Sequence, residues 1–169
     1  ENDYLNAIKY SSMAIELEPN NFSALLQRGS AKEKMEDFQG ALEDVSKALE
    51  LDPLDEDALL IKCDISRGLA KENLEDYSGA IKDYKKVIDS TYVGLEKLGK
   101  INLKLGNYKD SIKYFTKLLN YGGDNHDALI SRGIAKEKLG DIKGAIRDYT
   151  KYLKRYPEDD VALEKRCFA

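Results

Sequence analysis

A short segment recurs along this chain, and the recurrence restricts the fold more than any other feature of the sequence. Three copies align without gaps, each from an Arg-Gly pair to a Gly-Ala pair: residues 28–41, 67–80 and 132–145. Residues 98–111 form a more divergent copy. The small residue that closes each copy, with one that precedes them, recurs at spacings of 34, 39, 31 and 34 residues: Ala7, Ala41, Ala80, Ser111 and Ala145. Such a period indicates one supersecondary unit per repeat, stacked on its neighbours.

The segment resembles the tetratricopeptide repeat (TPR), a helix–turn–helix unit with the signature W-x₂-L-G-x₂-Y, then A-x₃-F, then P. Its positions are represented here by Leu25, Gly29, Ala41, Val45 and Pro53. Leu replaces the Trp, Arg usually replaces the Leu before Gly, and Lys usually replaces the Tyr. The resemblance covers essentially the whole chain. It implies an all-α fold, an α-solenoid of antiparallel helix pairs wound into a TPR-like right-handed superhelix.

The repeat register predicts a single solenoid over residues 1–169 with about five repeats. It begins with the second helix of a partial repeat, continues through four complete repeats and ends with a partial first helix: 1–21, 22–55, 56–91, 92–125, 126–159 and 160–169. We predict first (A) helices near 22–35, 55–74, 91–105, 126–139 and 159–168. We predict second (B) helices near 4–17, 38–51, 77–89, 108–121 and 142–155. Neither end shows a polar capping repeat, so we expect a fragment of a longer protein.

Two irregularities interrupt the repeat near the middle of the chain. Pro53 precedes Gly68 by 15 residues, whereas Pro19 precedes Gly29 by 10. The extra residues predict an A helix lengthened by about 1.4 turns. The link that follows Ile88 is about three residues shorter than its equivalents, so we expect Ser90 or Thr91 to cap the next helix at once.

Each A helix carries one glycine within an otherwise helical pattern: Gly29, Gly68, Gly99 and Gly133. Glycine in a helix interior costs about 1 kcal/mol relative to alanine, so a packing reason is expected. We expect close helix approach, with the small B-helix residues such as Ala41 facing each glycine. Large side chains one turn later then fill the remaining space: Val45, Tyr84, Phe115 and Tyr149.

In the TPR family the A helices line the concave face, and the resemblance places a candidate partner-binding groove there. Its central aliphatic residues are Leu26, Ile65, Leu69, Ile130 and Ile134. Its polar residues are Gln27, Ser30, Lys34, Asn73, Lys97, Lys100, Lys104 and Lys138. Aliphatic side chains flanked by charge are typical of a surface that binds a peptide or an amphipathic helix, and the lysines favour acidic residues on the partner. In the alternative interpretation, the aliphatic residues belong to the core and the lysines only face solvent.

Composition excludes several function classes. A net charge of −4, from 27 basic and 31 acidic residues, argues against a nucleic-acid partner. The longest apolar run, residues 58–61, is far too short for membrane insertion. His126 is the only histidine, and Cys63 and Cys167 are the only cysteines, so we expect no metal, no cofactor and a reduced, cytoplasmic protein. No catalytic motif is present, and we predict that the chain is not an enzyme.

These observations together predict a non-catalytic protein–protein interaction scaffold, or adaptor, that binds a segment of a partner in its concave groove. Two alternatives remain open at this point. The chain could form a homo-oligomer through the apolar ends of its helix stack, or it could be a structural spacer in a larger multidomain protein. The residues with which TPR co-chaperones hold a C-terminal carboxylate are not reproduced in this sequence.

Overall fold

The computed structural model describes residues 2–51, 57–122 and 125–168. Within them lie ten α-helices and no strand: α1 Asn2–Leu17, α2 Phe22–Lys34, α3 Phe38–Glu50, α4 Asp57–Asn73, α5 Tyr77–Lys86, α6 Tyr92–Lys104, α7 Tyr108–Gly122, α8 His126–Leu139, α9 Ile142–Leu153 and α10 Asp160–Phe168. The all-α class is confirmed, and the helix ends lie within three residues of the predicted ones. The predicted start of the fourth helix at residues 55 and 56 lies outside the described residues.

Contacts divide the chain into two units, Glu1–Ser90 and Thr91–Ala169. In the first unit, the A helices α2 and α4 each pack between two B helices, and in the second unit α8 does the same. Neighbouring A helices also touch, α2 with α4 and α6 with α8. Each unit is therefore a solenoid stack of antiparallel helix pairs. Among the described residues, no helix is long and apolar enough to cross a membrane.

Large side chains of the B helices occupy the space that the A-helix glycines leave open. A Cβ atom added at Gly133 would lie 2.4 Å from Cε1 of Tyr149, and one at Gly68 would lie 2.6 Å from Cε1 of Tyr84. The expectation that small residues face these glycines is therefore only partly right. At Gly29 the nearest Ala41 atom, its backbone oxygen, is 3.4 Å from such a Cβ, whereas a Val45 methyl is only 2.8 Å away.

Side-chain hydrogen bonds cap the starts of several helices. Thr91 Oγ1 accepts a hydrogen bond of 3.2 Å from the backbone N–H of Val93, which confirms the expected early start of α6. The B helices α3, α5 and α9 begin at an aspartate whose carboxylate accepts from the backbone N–H three residues later: Asp37, Asp76 and Asp141. These bonds satisfy donors that a helix terminus otherwise leaves unpaired. In the region of the insertion, α4 has 17 residues, compared with 13 in α2 and α6.

The turn between an A helix and its B helix places one residue in the left-handed region. Gly140 adopts φ 86° and Gly106 adopts φ 76°, while Glu36 and Glu75 stand at the same position with φ 62° and 61°. A left-handed residue with a side chain is disfavoured by about 1 kcal/mol or more.

We predict that Gly140→Ala lowers the free energy of unfolding by about 1 kcal/mol. No heavy atom lies within 4 Å of a Cβ built at Gly140, so the effect reports backbone strain alone. Urea unfolding followed by circular dichroism measures it, and Glu75→Gly serves as the reverse substitution. A stabilised Gly140→Ala variant would contradict the assignment of this turn.

A buried triad of charged side chains recurs in three repeats. An arginine and a lysine of the A helix, four residues apart, both donate to one aspartate of the B helix: Arg28 and Lys32 to Asp44, Arg67 and Lys71 to Asp83, Arg132 and Lys136 to Asp148. In the last triad, Arg132 Nη2 lies 2.6 Å from Asp148 Oδ1, and Lys136 Nζ lies 2.8 Å from Oδ2. The aspartate side chains are only 3–6% exposed. Each triad therefore fixes the pairing of one A helix with its B helix.

Two of these arginines also reach the preceding B helix. Arg28 Nη1 donates to Ser12 Oγ of α1 over 3.2 Å, and Arg132 Nη1 donates to Thr116 Oγ1 of α7 over 3.0 Å. One guanidinium thus links three helices and two successive repeats. Sequence reasoning missed this network, although its signal is present: Arg, then Lys four residues later, then Asp sixteen residues after the Arg, three times.

The arginine and lysine beside Asp44 and beside Asp83 lower the pKa of those two carboxyls. Burial raises the pKa of the Asp44 carboxyl, but hydrogen bonds and charge from Arg28 and Lys32 outweigh it, and the pKa lies below its ordinary value. The pKa of Asp83 is lowered in the same way by Arg67 and Lys71, against the opposing effect of burial.

A depressed pKa in the folded state contributes stability above the unfolded pKa of about 4, and that stability is lost as the pH falls through the folded pKa. We therefore expect Asp44→Asn to destabilise the protein equally at pH 7 and pH 5, and progressively less below about pH 4. Urea unfolding of both proteins across this range measures the difference. If the difference in unfolding free energy between the two proteins stays constant down to pH 2.5, the Asp44 carboxylate contributes nothing to stability through its charge.

Candidate partner-binding surfaces

A cavity of about 310 Å³ opens in the second unit and is lined mainly by its A helices. Its lining comes from α6, α8, α9 and the start of α10: Lys100, Asp127, Ile130, Ser131, Tyr152, Asp159, Val161 and Ala162. Ile130 is half-buried and Val161 is 61% exposed, so the cavity presents aliphatic carbon to solvent. Two predicted groove residues, Lys100 and Ile130, are thereby brought together.

A hydrogen bond between Tyr152 and Asp159 fixes one wall of this cavity. The Tyr152 hydroxyl donates to Asp159 Oδ2 over 2.8 Å, and the backbone N–H of Ala162 donates to Oδ1 over 2.9 Å. The pKa of Asp159 is lowered, first by the backbone bond from Ala162 and then by Tyr152. The bond to Asp159 raises the pKa of Tyr152. At neutral pH this wall therefore holds a carboxylate and a neutral phenol.

His126 packs against aromatic rings next to this wall. Its ring packs edge-on against Tyr156, with centroids 4.9 Å apart, and more distantly against Tyr152 at 6.3 Å. Asn125 caps α8, its side-chain oxygen accepting from the N–H of Ala128. The single histidine is thus an aromatic packing residue at the helix start. Among the described residues, no group of three or more His, Cys, Asp or Glu could hold a metal ion.

A different cavity, of about 460 Å³, opens in the first unit between α1 and α2. It is lined by Tyr4, Ala7, Phe22, Ser23, Leu26, Gln27, Ser30, Ala31 and Lys34. Four predicted groove residues therefore lie together, but one wall of the cavity is the B helix α1. Neither this cavity nor that of the second unit, which Tyr152 of the B helix α9 also lines, is therefore a groove formed by A helices alone.

Leu26 departs from the expectation that the central aliphatic residues have no role in the core. Its side chain is 4% exposed and packs with Val45 and Cys63 in a buried cluster, so only its edge reaches the cavity. Ile65, Leu69, Ile130 and Ile134 are half-buried on their A helices. Of these four, only Ile130 lines one of the two cavities described above.

The lysines are less available to a partner than the sequence suggests. Lys34 Nζ lies 3.6 Å from Glu33 Oε1, and Lys100 pairs with Glu96 one turn earlier. Lys97 and Lys104 also have interactions of their own. Asn73 donates to the backbone oxygen of Leu69 over 2.9 Å. Lys138 is exposed near the end of α8. The preference for an acidic partner stays a prediction.

The fold and these solvent-facing aliphatic surfaces define a helical-repeat scaffold for protein interaction. Tetratricopeptide repeat sequence profiles match residues 22–53 and 96–160, together more than half of the chain. The chain belongs to the tetratricopeptide repeat family.

Two curated relatives from Oryza sativa subsp. japonica are similar over 93% of the chain. They are DnaJ protein P58IPK homolog B, 30% identical, and homolog A, 28% identical. The chain spans 36% of the length of each relative.

Solved structures show the same fold. MamA superposes with a TM-score of 0.84 at 21% identity, covering 93% of this chain and 91% of that one. YrrB, a TPR protein with an unusual peptide-binding site, superposes with a TM-score of 0.82 at 16% identity, covering 96% and 83%. A tetratricopeptide repeat protein from Parabacteroides merdae superposes with a TM-score of 0.82 at 21% identity, covering 98% and 65%.

Proposed function

We propose that this chain is a non-catalytic scaffold that binds a segment of a partner protein through the A-helix cavity of its second unit. The observation that carries the proposal is that half-buried Ile130 and exposed Val161 line one cavity beside the hydrogen-bonded Tyr152 and Asp159. Apolar pockets with a few well-placed polar groups are the usual form of a binding site. The peptide-binding site of YrrB, which has a similar fold, supports the same use of this architecture.

The chemistry of the cavity indicates what the partner segment contributes. An aliphatic or aromatic side chain covers Ile130 and Val161, and the Tyr152 ring adds a flat apolar surface. Asp127 and Asp159 line the cavity together with Lys100, which pairs with Glu96. Because both signs of charge border the cavity, the apolar anchor supplies the affinity and the charges orient the segment.

A random-peptide display library selected against the intact chain provides probes for this proposal. We expect the selected peptides to lose at least tenfold in affinity on Ile130→Glu and on Val161→Glu, measured by fluorescence polarisation. Leu105→Glu is the matched control, because Leu105 is 44% exposed at the end of α6 and lies outside both cavities. Equal binding to wild type and Val161→Glu, with unchanged circular dichroism, would reject the cavity as the binding site. Val161→Glu keeps the test decisive if Ile130→Glu fails to fold.

A further inference from the structure

The B helices of the second unit carry a basic surface that the net charge of the whole chain does not show. Residues 91–169 contain 16 Lys and Arg residues against 11 Asp and Glu residues, whereas residues 1–90 contain 11 against 20. The net charge of −4 therefore combines an acidic first unit with a basic second unit. Where the positive charge lies in the second unit indicates what that unit can bind.

Six cations form two columns, in each of which one residue follows another by four positions. The column of α7 and the column of α9 stand at equivalent register positions, 34 residues apart: Lys109, Lys113 and Lys117, then Lys143, Arg147 and Lys151. All six side chains are exposed. Buried Ala145 and Tyr149 lie on the opposite side of α9. Both helices pack against α8, so the columns belong to neighbouring B helices that run in the same direction.

The fold does not require positive charge at this register. In α3 the equivalent positions hold Gln39, Glu43 and Lys47, and α3 packs against its A helix as α9 does. The Gln39 amide donates to Glu43 Oε1 over 3.1 Å there, an attractive contact between neighbours on one helix. Cations four residues apart instead repel each other. The two columns are therefore a local cost to α7 and α9 that packing does not explain.

The columns also lack counter-charges within the described part of the chain. Asp148, the only carboxylate of α9, is buried and bound by Arg132 and Lys136. Among the described residues, no carboxylate forms an ion pair with five of the six cations: Lys109, Lys113, Lys143, Arg147 and Lys151. A row of bound anions would relieve their mutual repulsion.

We propose that this basic face, the two columns of α7 and α9, binds an acidic helical segment of a partner protein. Four residues of a helix rise by about 6 Å, so carboxylates at every fourth position of the partner match the spacing of the cations. A nucleic acid or a lipid bilayer is larger than this face, and the 20 acidic residues of the first unit disfavour its approach. None of the six cations lines the cavity of Ile130 and Val161, so the proposal does not depend on the proposed function.

Fluorescence polarisation with a labelled, alanine-based peptide that carries glutamate at every fourth position tests the proposal. We expect Lys113→Glu/Arg147→Glu, which introduces the residue type of Glu43, to bind the peptide at least tenfold more weakly than wild type. Affinity for wild type should also fall as the ionic strength rises, because exposed charges are screened. Circular dichroism verifies that the variant is folded.

Lys9→Glu/Lys47→Glu is the matched control, because it changes the net charge equally at exposed positions of α1 and α3 in the same register. It should bind the peptide like wild type. A wild-type dissociation constant above about 1 mM, or an equal loss of affinity in the control, overturns the proposal.

Two further arms test the class of partner. A peptide of the same composition with its glutamates in one uninterrupted block should bind at least threefold more weakly, because the block spreads the charge around the helix. A thymidine oligonucleotide, or vesicles containing phosphatidylserine, should displace the acidic peptide only at a higher concentration of negative charge. Equal binding of the two peptides, or easier displacement by either competitor, overturns the assignment to an acidic helix. Display-selected peptides that the acidic peptide displaces belong to this face, and the cavity is tested with the remaining ones.

Discussion

Asp148→Ala is expected to lower the free energy of unfolding of the α8–α9 pair by about 3 kcal/mol. The Asp148 carboxylate is 6% exposed and receives charge-assisted hydrogen bonds from both Arg132 and Lys136. Removing it leaves two cations, about 15% exposed, facing each other without a counter-charge. Breaking a buried ion pair from one side is costly because the remaining charge is desolvated without compensation.

The chain contains its own control for this prediction. In the repeat of α6 and α7, the triad positions hold Leu98, Asn102 and Tyr114, and this pair packs without the ions. The triple variant Arg132→Leu/Lys136→Asn/Asp148→Tyr places the same three residue types at the triad positions of the last repeat. Replacing a whole buried ion cluster by well-packed groups is often neutral, so we expect stability within about 1 kcal/mol of wild type.

Because repeat stacks can unfold in parts, hydrogen exchange of the α8 and α9 amides is the appropriate measurement, alongside urea unfolding. Asp148→Ala should accelerate exchange in these two helices far more than in α6. A loss below about 1 kcal/mol in Asp148→Ala would show that the triad is dispensable. If the triple variant is as unstable as Asp148→Ala, the stability that Asp148→Ala loses comes from packing and not from charge.

Gly133→Ala is expected to destabilise the same helix pair by about 2 kcal/mol, although alanine favours a helix more than glycine does. The added Cβ would lie 2.4 Å from Cε1 and 3.0 Å from Cζ of Tyr149, a fully buried ring. The Tyr149 hydroxyl donates to Glu137 over 2.8 Å, so the ring cannot turn aside without breaking that bond. The helices must then separate or lose the tyrosine from the core.

Gly29→Ala is the matched control, because the nearest atom to its Cβ is a methyl carbon of Val45, at 2.8 Å, and the next atoms are at 3.4 Å. We expect a loss of less than about 1 kcal/mol there, since a single methyl shifts more easily than a hydrogen-bonded ring. Urea unfolding of both variants measures the order. Equal losses at the two glycines would contradict the view that ring size sets the helix spacing.

The sequence predicted the fold closely because each local signal agrees with the repeat. Asp37, Asp76 and Asp141 stand where a B helix begins, and the single glycines mark where two helices meet. Helix α5 is the clearest exception, ending at Lys86 and not near residue 89. The short link to the Thr91 cap replaces the last predicted turn of α5. Helix periodicity does not contain this constraint, because it comes from the position of the next helix.

The candidate site was harder to predict, for two physical reasons. Exposure depends on neighbouring helices, so Leu26 and Ile130 occupy equivalent register positions but differ in burial. The partner of a charged side chain can lie on another helix, which the sequence alone does not show. Arg28 and Lys32 therefore look like departures from the TPR signature, although both bind Asp44. The two aspartates that line the cavity of the second unit, Asp127 and Asp159, stand where α8 and α10 begin.

Site-specific photo-cross-linking tests most directly whether the A-helix side of the second unit is the partner-binding surface. A benzophenone side chain replaces Val161 in one protein and the exposed Lys143 of the B helix α9 in another. Peptides selected from the display library should cross-link at position 161 and not at position 143. Cross-linking at 143, or equally at both positions, would contradict the account and move the binding surface to another face.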